Sequence, residues 1–379
     1  MNSLNKVIRP GQMIGIIGGG QLGRMMALAA KASGFKIAVL DPTPNCPCGQ
    51  VADVEITAEY NDLQALKKLA DISDVITFEF ENINGEALEW LQQHAYIPQG
   101  ADVLKISQNR IIEKQTIVKA GVQIAPYVVI KEMKDIYEQI EMIGFPCVLK
   151  TATGGYDGKG QLVLKNREDI EKAQRLVDQC ECVLEAWVPF EKEVSVIVSR
   201  NGLGDTKVFP VAENTHVENI LHQSIVPARV SELIEQEARK KAMLIADSMQ
   251  MVGTLAVEMF VTAEGDIFIN ELAPRPHNSG HYTMEACETS QFEQHIRAVC
   301  NWKLADTTLL KPVVMVNVLG EHMEPLLENI PTLSNWKIHL YGKEEAKIKR
   351  KMGHVNILRD TVEEALVAAE QSNIWQKNN

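Results

Sequence analysis

The first hundred residues alternate short apolar runs with amphipathic segments, and this alternation limits the possible folds more than any other feature of the chain. It predicts strands at 14–17, 36–40 and 74–80, with helices between them. Because parallel neighbours need a crossover connection, strands that alternate with helices are typical of a doubly wound parallel sheet. We therefore predict an α/β protein whose first domain, residues 1–105, is such a sheet.

The pattern changes after residue 105, which indicates that other domains follow. A helix is expected over 107–120, and the segment beyond it mixes helices and strands in an α+β arrangement. Lys311-Pro312 marks a second boundary, and the short strands and single helix beyond it predict a small C-terminal β-rich domain over 306–379. The length of 379 residues agrees with two to three domains of about 150 residues each.

Charge and cysteine content narrow the class of protein. Fifty Asp and Glu outnumber 38 Lys and Arg, giving a formal net charge of −12, whereas nucleic-acid binding depends on clustered positive charge. No stretch has the roughly 20 apolar residues of a membrane helix, and the N-terminus has no apolar signal core. The seven cysteines lack zinc-site spacing and are expected to be reduced thiols. We therefore expect a cytoplasmic protein without nucleic-acid or membrane partners.

A glycine-rich motif, Gly18-Gly19-Gly20-Gln21-Leu22-Gly23, joins the first predicted strand to the first helix. Backbone N–H groups at a helix N-terminus bind anions, so the motif fits a phosphate site. With Asp41 at the end of the next strand it also fits a dinucleotide site, which makes an NAD-dependent dehydrogenase one hypothesis. The alternative is that the glycines only permit close packing of helix and strand.

Two acidic residues, Glu79 and Glu81, stand two apart at the end of the third predicted strand. Side chains two apart on a strand point the same way, and this strand end faces the crevice where open α/β sheets bind ligands. We therefore expect both carboxylates to accept hydrogen bonds from an amine or hydroxyl of a ligand.

A second glycine-rich loop follows Lys150 and contains four glycines and another lysine, Lys159. Glycine lets backbone amides approach phosphate oxygens closely, and lysine neutralises their charge. The loop differs from a Walker A loop because Lys-Ser/Thr is missing after the glycines. We interpret it as a phosphate-binding hairpin, and a plain glycine-rich turn is the alternative.

Acidic residues on apolar strands mark a predicted nucleotide and metal site. Glu258 and Glu271 each interrupt an apolar strand, and a tight turn joins the two strands. A buried carboxylate needs a compensating cation, and with Asn270 these oxygens suit an octahedral Mg²⁺ that bridges nucleotide phosphates. A pair of salt-bridged structural acids is the alternative. Upstream, Glu185-Ala186-Trp187-Val188 could offer edge-strand backbone groups to a purine, and Glu193 a carboxylate to a ribose.

Two clusters of donors lie further along the chain. A proline-held loop presents Arg275, His277 and Asn278, which are donors suited to a small oxyanion. A basic cluster runs from Lys343 to Lys351, and it is either a solvated face or a phosphate clamp.

In this order, the motifs resemble the ATP-grasp enzymes and, among them, the N5-carboxyaminoimidazole ribonucleotide synthetase family. The resemblance covers nearly the whole chain. It is carried by GGGQLGRM from residue 18, FEFE from 78, GGYDGKGQ from 154, NELAPRPHNSGH from 270 and RKMGH from 350. It implies that residues 106–305 form a two-lobed ATP-grasp α+β domain, with a small lobe at about 121–190 and a large lobe at about 191–305.

The resemblance implies that ATP lies between the two lobes. The residues that would bind it are Arg110, Lys150, Gly155, Tyr156, Asp157, Gly158, Lys159, Gly160, Gln161, Glu185, Ala186, Trp187, Val188, Glu193, His216, Asn270 and Glu271. Glu258 and Glu271 would bind Mg²⁺. A ribonucleotide would contact Gln21, Leu22, Glu79, Lys343, Arg350 and Lys351, and the catalytic residues would be Asp157, Arg275, His277 and Asn278.

The implied reaction carboxylates the exocyclic amine of 5-aminoimidazole ribonucleotide, after ATP and bicarbonate have formed carboxyphosphate. The implied partners are these small molecules and a second copy of the chain in a homodimer. The nearest alternative is the formate-dependent glycinamide ribonucleotide transformylase of the ATP-grasp type, which forms formyl phosphate. A dehydrogenase would leave Glu258 and Glu271 without a role, and a non-catalytic nucleotide-binding regulator would not need a complete metal site.

Overall fold

The computed structural model describes residues 6–81, 83–155 and 160–376, and the strands in these ranges form three sheets. The first sheet is parallel, with strand order β3-β2-β1-β4. Its strands are β1 (Met13–Ile17), β2 (Lys36–Asp41), β3 (Val54–Thr57) and β4 (Val75–Phe78), and its helices are α1 (Gln21–Ala32), α2 (Leu63–Ile72) and α3 (Gly85–His94). The sequence pattern missed β3, because four residues with alternating polarity contain no apolar run.

Helices cover both faces of this first sheet. Alternate residues of a strand point to opposite faces, so Ile14 and Ile16 lie in the apolar cluster with α1, whereas Ile17 lies in the cluster with α2 and α3. The predicted doubly wound parallel sheet is therefore confirmed.

A smaller antiparallel sheet follows, with strand order β5-β8-β6-β7. Its strands are β5 (Tyr127–Ile130), β6 (Cys147–Thr151), β7 (Gln161–Leu164) and β8 (Cys182–Ala186), and the helices of this region are α4 (Ala101–Gln108), α5 (Arg110–Lys119), α6 (Met133–Ile143) and α7 (Gln174–Val177). The predicted helix over 107–120 corresponds to α5, which begins at Arg110, three residues later than expected. The backbone is extended at Asn109, whose side chain caps α5 by accepting from the N–H groups of Ile111 and Ile112.

The third sheet has nine strands within the described ranges and extends into the C-terminal region. Its strands are β9 (Phe190–Arg200), β10 (Thr206–Val208), β11 (Ala212–Val217), β12 (Ile220–Val226), β13 (Gly253–Thr262), β14 (Ile267–Ala273), β15 (Val313–Leu319), β16 (Trp336–Leu340) and β17 (Lys351–Leu358). The remaining helices are α8 (Glu232–Ser248), α9 (Thr283–Ala286), α10 (Gln291–Val299), α11 (Met323–Asn329) and α12 (Val362–Gln371).

The order of strands in the large sheet is β14-β13-β9-β11-β12-β15-β17-β16, with β10 paired to β9. Because β12 pairs with β15, the C-terminal strands continue this sheet. The β-rich character of the C-terminal region is confirmed, while the domain limits near residues 105 and 305 stay predictions. Within the described ranges, none of the helices has the length and apolar content of a bilayer-spanning segment.

Candidate active site

A row of polar side chains crosses one face of the nine-stranded sheet. Directly paired residues of antiparallel strands point to the same face, and Glu258 on β13 pairs with Glu271 on β14 and with Ser195 on β9. Glu193 on β9 pairs with Asn214 on β11 in the same way. This face and the smaller sheet together enclose a cavity of about 510 Å³.

The cavity collects most of the residues that were predicted to bind the nucleotide or to act in catalysis. They are Arg110, Lys150, Gly155, Gly160, Gln161, Glu185, Ala186, Trp187, Val188, Glu193, His216, Glu258, Asn270, Glu271, Arg275, His277 and Asn278, and Lys351 joins them from the C-terminal strand β17. The predicted residues Tyr156, Asp157, Gly158 and Lys159 lie outside the described residues. Gln21, Leu22, Glu79, Lys343 and Arg350 do not line this cavity.

Glu185 is held between two lysines at one end of the cavity. Its Oε2 lies 3.3 Å from Lys150 Nζ and its Oε1 lies 3.1 Å from Lys114 Nζ. Burial alone would raise the pKa of Glu185, but the two lysines outweigh burial and hold the pKa below its ordinary value. The carboxylate is therefore charged, and it fixes the position of the Lys150 ammonium group.

Sequence reasoning missed Lys114, although a signal for it was present. Lys114 follows Arg110 by four residues on α5, so the two cations share one face of that helix. Sequence reasoning also missed Glu113, whose carboxylate accepts from the backbone N–H of Leu272 at 2.7 Å and ties α5 to β14.

The prediction that Glu185 and Ala186 lie on an edge strand is wrong. Strand β8 lies between β5 and β6, so Glu185 has a paired neighbour on each side, Tyr127 and Val148. The backbone N–H of Ala186 donates to Pro126 and that of Trp187 to Pro146. These two N–H groups are therefore not free to receive a hydrogen bond acceptor of a ligand.

Further charged contacts connect the two walls of the cavity. Arg110 from α5 lies 3.5 Å from Glu271 on the large sheet. Lys150 Nζ donates to Asn270 Oδ1 at 3.5 Å, so one lysine reaches from the smaller sheet to the acidic row.

His216 and Glu193 form an ion pair within the large sheet. His216 Nδ1 lies 2.9 Å from Glu193 Oε2. Burial alone would lower the pKa of His216, but Glu193 outweighs burial and raises it.

The paired acids Glu258 and Glu271 fit a divalent cation. Burial and the neighbouring charge of Glu271 raise the pKa of Glu258 to about 7, which is the electrostatic situation that a bound cation relieves. Among the described residues, no cluster of three or more His, Cys, Asp or Glu is arranged to hold a metal by itself. Two carboxylates agree with Mg²⁺, which is commonly bound by one or two carboxylates together with substrate phosphates.

The loop after β14 carries its donors to Glu81 and Glu258. Arg275 Nε lies 3.1 Å from Glu81 Oε1, and His277 Nε2 lies 3.3 Å from Glu258 Oε1. Burial, followed by the charge of Arg275, lowers the pKa of His277 well below its ordinary value, so the ring is neutral. The buried Oδ1 of Asn278 has no hydrogen-bond partner within the described part of the chain. The loop thus offers polar groups for a small ligand.

Family models match successive parts of the chain. A ribonucleotide synthetase preATP-grasp domain matches residues 12–108, an ATP-grasp domain residues 115–292, and a phosphoribosylaminoimidazole carboxylase C-terminal domain residues 313–368. The N5-carboxyaminoimidazole ribonucleotide synthase of Bacillus subtilis strain 168 is 53% identical over 370 residues, covering 98% of this chain and 97% of that protein. The chain belongs to the N5-carboxyaminoimidazole ribonucleotide synthase family.

Solved structures of this synthase family share the fold over nearly its whole length. The crystal structure of an N5-carboxyaminoimidazole ribonucleotide synthetase in complex with ADP is 61% identical, with a TM-score of 0.95 and coverage of 98% of both chains. The Aspergillus clavatus synthase in complex with ADP and 5-aminoimidazole ribonucleotide is 29% identical, with a TM-score of 0.89 and coverage of 96% of this chain and 97% of that one. The predicted α/β fold with a central ATP-grasp domain is confirmed.

The N-terminal glycine motif of this synthase family member does not present a free phosphate site. The backbone N–H of Gly19 donates to Asp41 at 2.7 Å, and those of Gly20 and Gly23 donate to the Glu79 carboxylate. Asp41 also accepts from the Tyr60 hydroxyl. The amides that a dinucleotide phosphate would need thus donate to carboxylates of the chain itself. Asp41, the acid that would bind its ribose, already accepts hydrogen bonds from Gly19 and Tyr60. The dinucleotide interpretation of this motif is wrong.

The residues predicted to bind the ribonucleotide approach one another beside Glu79. Gln21 is the first residue of α1, and Leu22, the second, is buried. Lys343 Nζ donates to the carbonyl oxygen of Lys351 at 2.8 Å. Burial, followed by the nearby charge of Arg350, lowers the pKa of Lys343 to about 8, while Glu79 acts on it in the opposite direction. Two cations and one carboxylate thus influence one another at the junction of the first and third sheets.

Proposed function

We propose that this chain carboxylates the exocyclic amine of 5-aminoimidazole ribonucleotide in de novo purine biosynthesis, with ATP and bicarbonate as co-substrates. The observation that carries the proposal is the composition of the cavity. The paired acids Glu258 and Glu271 of the large sheet face Lys150 and Arg110 there, and the loop that carries Arg275 lines the same cavity. The names of the Bacillus subtilis and Aspergillus clavatus relatives support the same activity. The products are N5-carboxyaminoimidazole ribonucleotide, ADP and phosphate.

ATP is proposed to lie between the smaller and the large sheet. Arg110, Lys150 and the loop residues 155–161 contact its phosphates, while Ala186, Trp187 and Val188 contact the adenine. Glu193 and His216 hold the ribose. Glu258 and Glu271, with Asn270 beside them, would hold Mg²⁺, which when bound offsets charge on the transferred phosphoryl group.

Bicarbonate attacks the γ-phosphorus of ATP in the proposed mechanism, the bond to the bridging oxygen breaks, and carboxyphosphate and ADP are formed. Arg275 and Asn278 hold bicarbonate, and the positive charge of Arg275 compensates its repulsion from the triphosphate. The amine of the ribonucleotide then bonds to the carboxyl carbon, either of carboxyphosphate, whose C–O bond to phosphate breaks, or of CO₂ already released from it. The amine loses one proton to the phosphate, which leaves. Asp157, His277 and the enclosing walls position these reactants and exclude water from the mixed anhydride.

The choice of acid co-substrate tests this function. With ATP and 5-aminoimidazole ribonucleotide present, ADP release is expected to depend on bicarbonate and not on formate. ADP release is measured by a coupled assay in CO₂-depleted buffer, to which either anion is added. The carboxylated product is detected by the label that it takes up from radiolabelled bicarbonate. Formate-dependent ADP release with glycinamide ribonucleotide would instead indicate the transformylase.

The pH dependence of ribonucleotide binding tests the proposal that Lys343, Arg350 and Lys351 hold the phosphate of the ribonucleotide. Lys343 carries its proton below about pH 8 and loses it as the pH rises through that value. A neutral amine attracts a phosphate dianion less, so the KM for the ribonucleotide is expected to increase above about pH 8 while the KM for ATP changes less. Lys343→Arg keeps its charge and should remove this increase. An unchanged ribonucleotide KM across this range in the wild type would contradict the assignment.

We also propose that the chain acts in the cytoplasm as a homodimer. All seven cysteines are free, which agrees with a reducing compartment. Sedimentation of the purified protein would measure the oligomeric state, and a single species with the mass of one chain would contradict the dimer.

A further inference from the structure

A continuous chain of buried polar side chains runs beneath the acidic row. Ser224 Oγ donates to Asn214 Oδ1 at 2.7 Å, and Asn214 Nδ2 donates to Ser195 Oγ at 2.9 Å. Ser195 Oγ donates to Ser279 Oγ at 2.8 Å, and Ser279 Oγ lies 2.9 Å from His277 Nδ1. The chain thus crosses strands β12, β11 and β9 and ends on the imidazole ring that faces Glu258.

Each hydroxyl in this chain has one proton to donate, so the direction of donation passes from one end to the other. Because Ser195 donates to Ser279, the Ser279 hydroxyl is left to donate to His277 Nδ1. The backbone N–H of Ser279 also points at Nδ1, at 3.4 Å, and a backbone amide can only donate. Nδ1 is therefore an acceptor and carries no proton, so the ring proton resides on Nε2.

We propose that Ser195 and Asn214 are positioning residues that hold His277 in the tautomer with its proton on Nε2. In this tautomer the ring donates toward Glu258 Oε1, 3.3 Å away, which orients that carboxylate within the cavity. Neither Ser195 nor Asn214 lines the cavity, so both act through His277. The kinetic consequence rests on the proposed function, whereas the tautomer itself does not.

Reversing the direction of donation tests the proposal. In Asn214→Asp, a carboxylate of the same shape only accepts, so the Ser195 hydroxyl turns toward it and Ser195 Oγ becomes an acceptor for Ser279. Ser279 Oγ then accepts from His277, and the ring proton is expected to move to Nδ1, because the 3.4 Å contact from the backbone N–H of Ser279 is weaker than the 2.9 Å bond to the hydroxyl and does not hold Nδ1 as an acceptor by itself. The measurement is ¹⁵N NMR of nucleotide-free protein labelled at histidine, with the His277 signals assigned by their loss in His277→Gln.

The wild-type spectrum already tests the tautomer, because a protonated Nδ1 on His277 would overturn the proposal. A proton that stays on Nε2 in Asn214→Asp would also overturn it. Neither measurement requires an active enzyme, so a failed carboxylation assay would leave the result for the tautomer unaffected.

Kinetics separate positioning from general packing. Ser195→Ala interrupts the chain and is expected to lower kcat about tenfold while the KM for ATP changes little. The matched control is Ser199→Ala, which removes another buried hydroxyl of β9 that pairs with Thr254 and does not connect to His277. Equal losses of kcat in the two variants would show that Ser195 acts only through packing.

Discussion

Replacing Glu271 with glutamine is expected to reduce ATP turnover by about 10²- to 10³-fold, while the protein keeps its fold. Glutamine has the shape of glutamate but lacks its charge, so the pair formed with Glu258 loses half of its attraction for a divalent cation. Arg110, 3.5 Å from Glu271, loses its partner as well. ADP release in the presence of bicarbonate and the ribonucleotide measures the effect, and a magnesium titration shows whether more metal restores turnover.

The control for this variant is Glu264→Gln, which makes the same change at an exposed position in the turn between β13 and β14. It is expected to leave turnover within about twofold of the wild type, because exposed substitutions away from a site have small effects. Near-normal turnover in Glu271→Gln would contradict the assignment of this acid as a metal ligand.

Replacing Lys150 with methionine is expected to lower kcat/KM for ATP by about 10²-fold. Methionine retains much of the length of the side chain but removes the ammonium group that is proposed to contact the phosphates. Glu185 keeps one cation, because Lys114 lies 3.1 Å from its other oxygen, so the buried carboxylate remains paired. The steady-state rate at varied ATP concentration measures the effect, and thermal unfolding reports on the fold.

The control for Lys150→Met is Lys192→Met. Lys192 lies 3.1 Å from Glu213, a buried carboxylate that also pairs with Arg229. Lys192→Met therefore removes one of two cations from a buried acid, as Lys150→Met does, but outside the residues that line the cavity. If both variants lowered kcat/KM for ATP to the same extent, the role of Lys150 would be structural and not specific to the phosphates.

Local patterns were sufficient for much of the fold. The periodicity of apolar residues predicted the parallel sheet, because alternation of strand and helix is recorded in neighbouring residues. It did not predict β3, because this short strand lacks an apolar run. It placed the start of α5 three residues too early, because the cap at Asn109 interrupts a pattern that otherwise continues.

The candidate site was predictable wherever a polar residue interrupts an apolar strand, as Glu258 and Glu271 do. Lys114 was missed because its spacing of four from Arg110 indicates only a shared helix face, and a lysine in an amphipathic helix is ordinary until its burial against Glu185 is known. The N-terminal glycines show the opposite case. Their spacing suggested a phosphate site, but the tertiary structure places the carboxylates of Asp41 and Glu79 on the same amides.

By itself, the sequence determined the fold class, the family resemblance and the residues at which chemistry is concentrated, because these properties depend on short motifs. Only the tertiary structure decided which groups face one another. Strand register brought Glu258 beside Glu271 and Ser195, and α5 carried Lys114 to Glu185. Hydrogen bonds and ion pairs act over a few ångströms, so their partners are selected by packing between segments that are far apart in the chain.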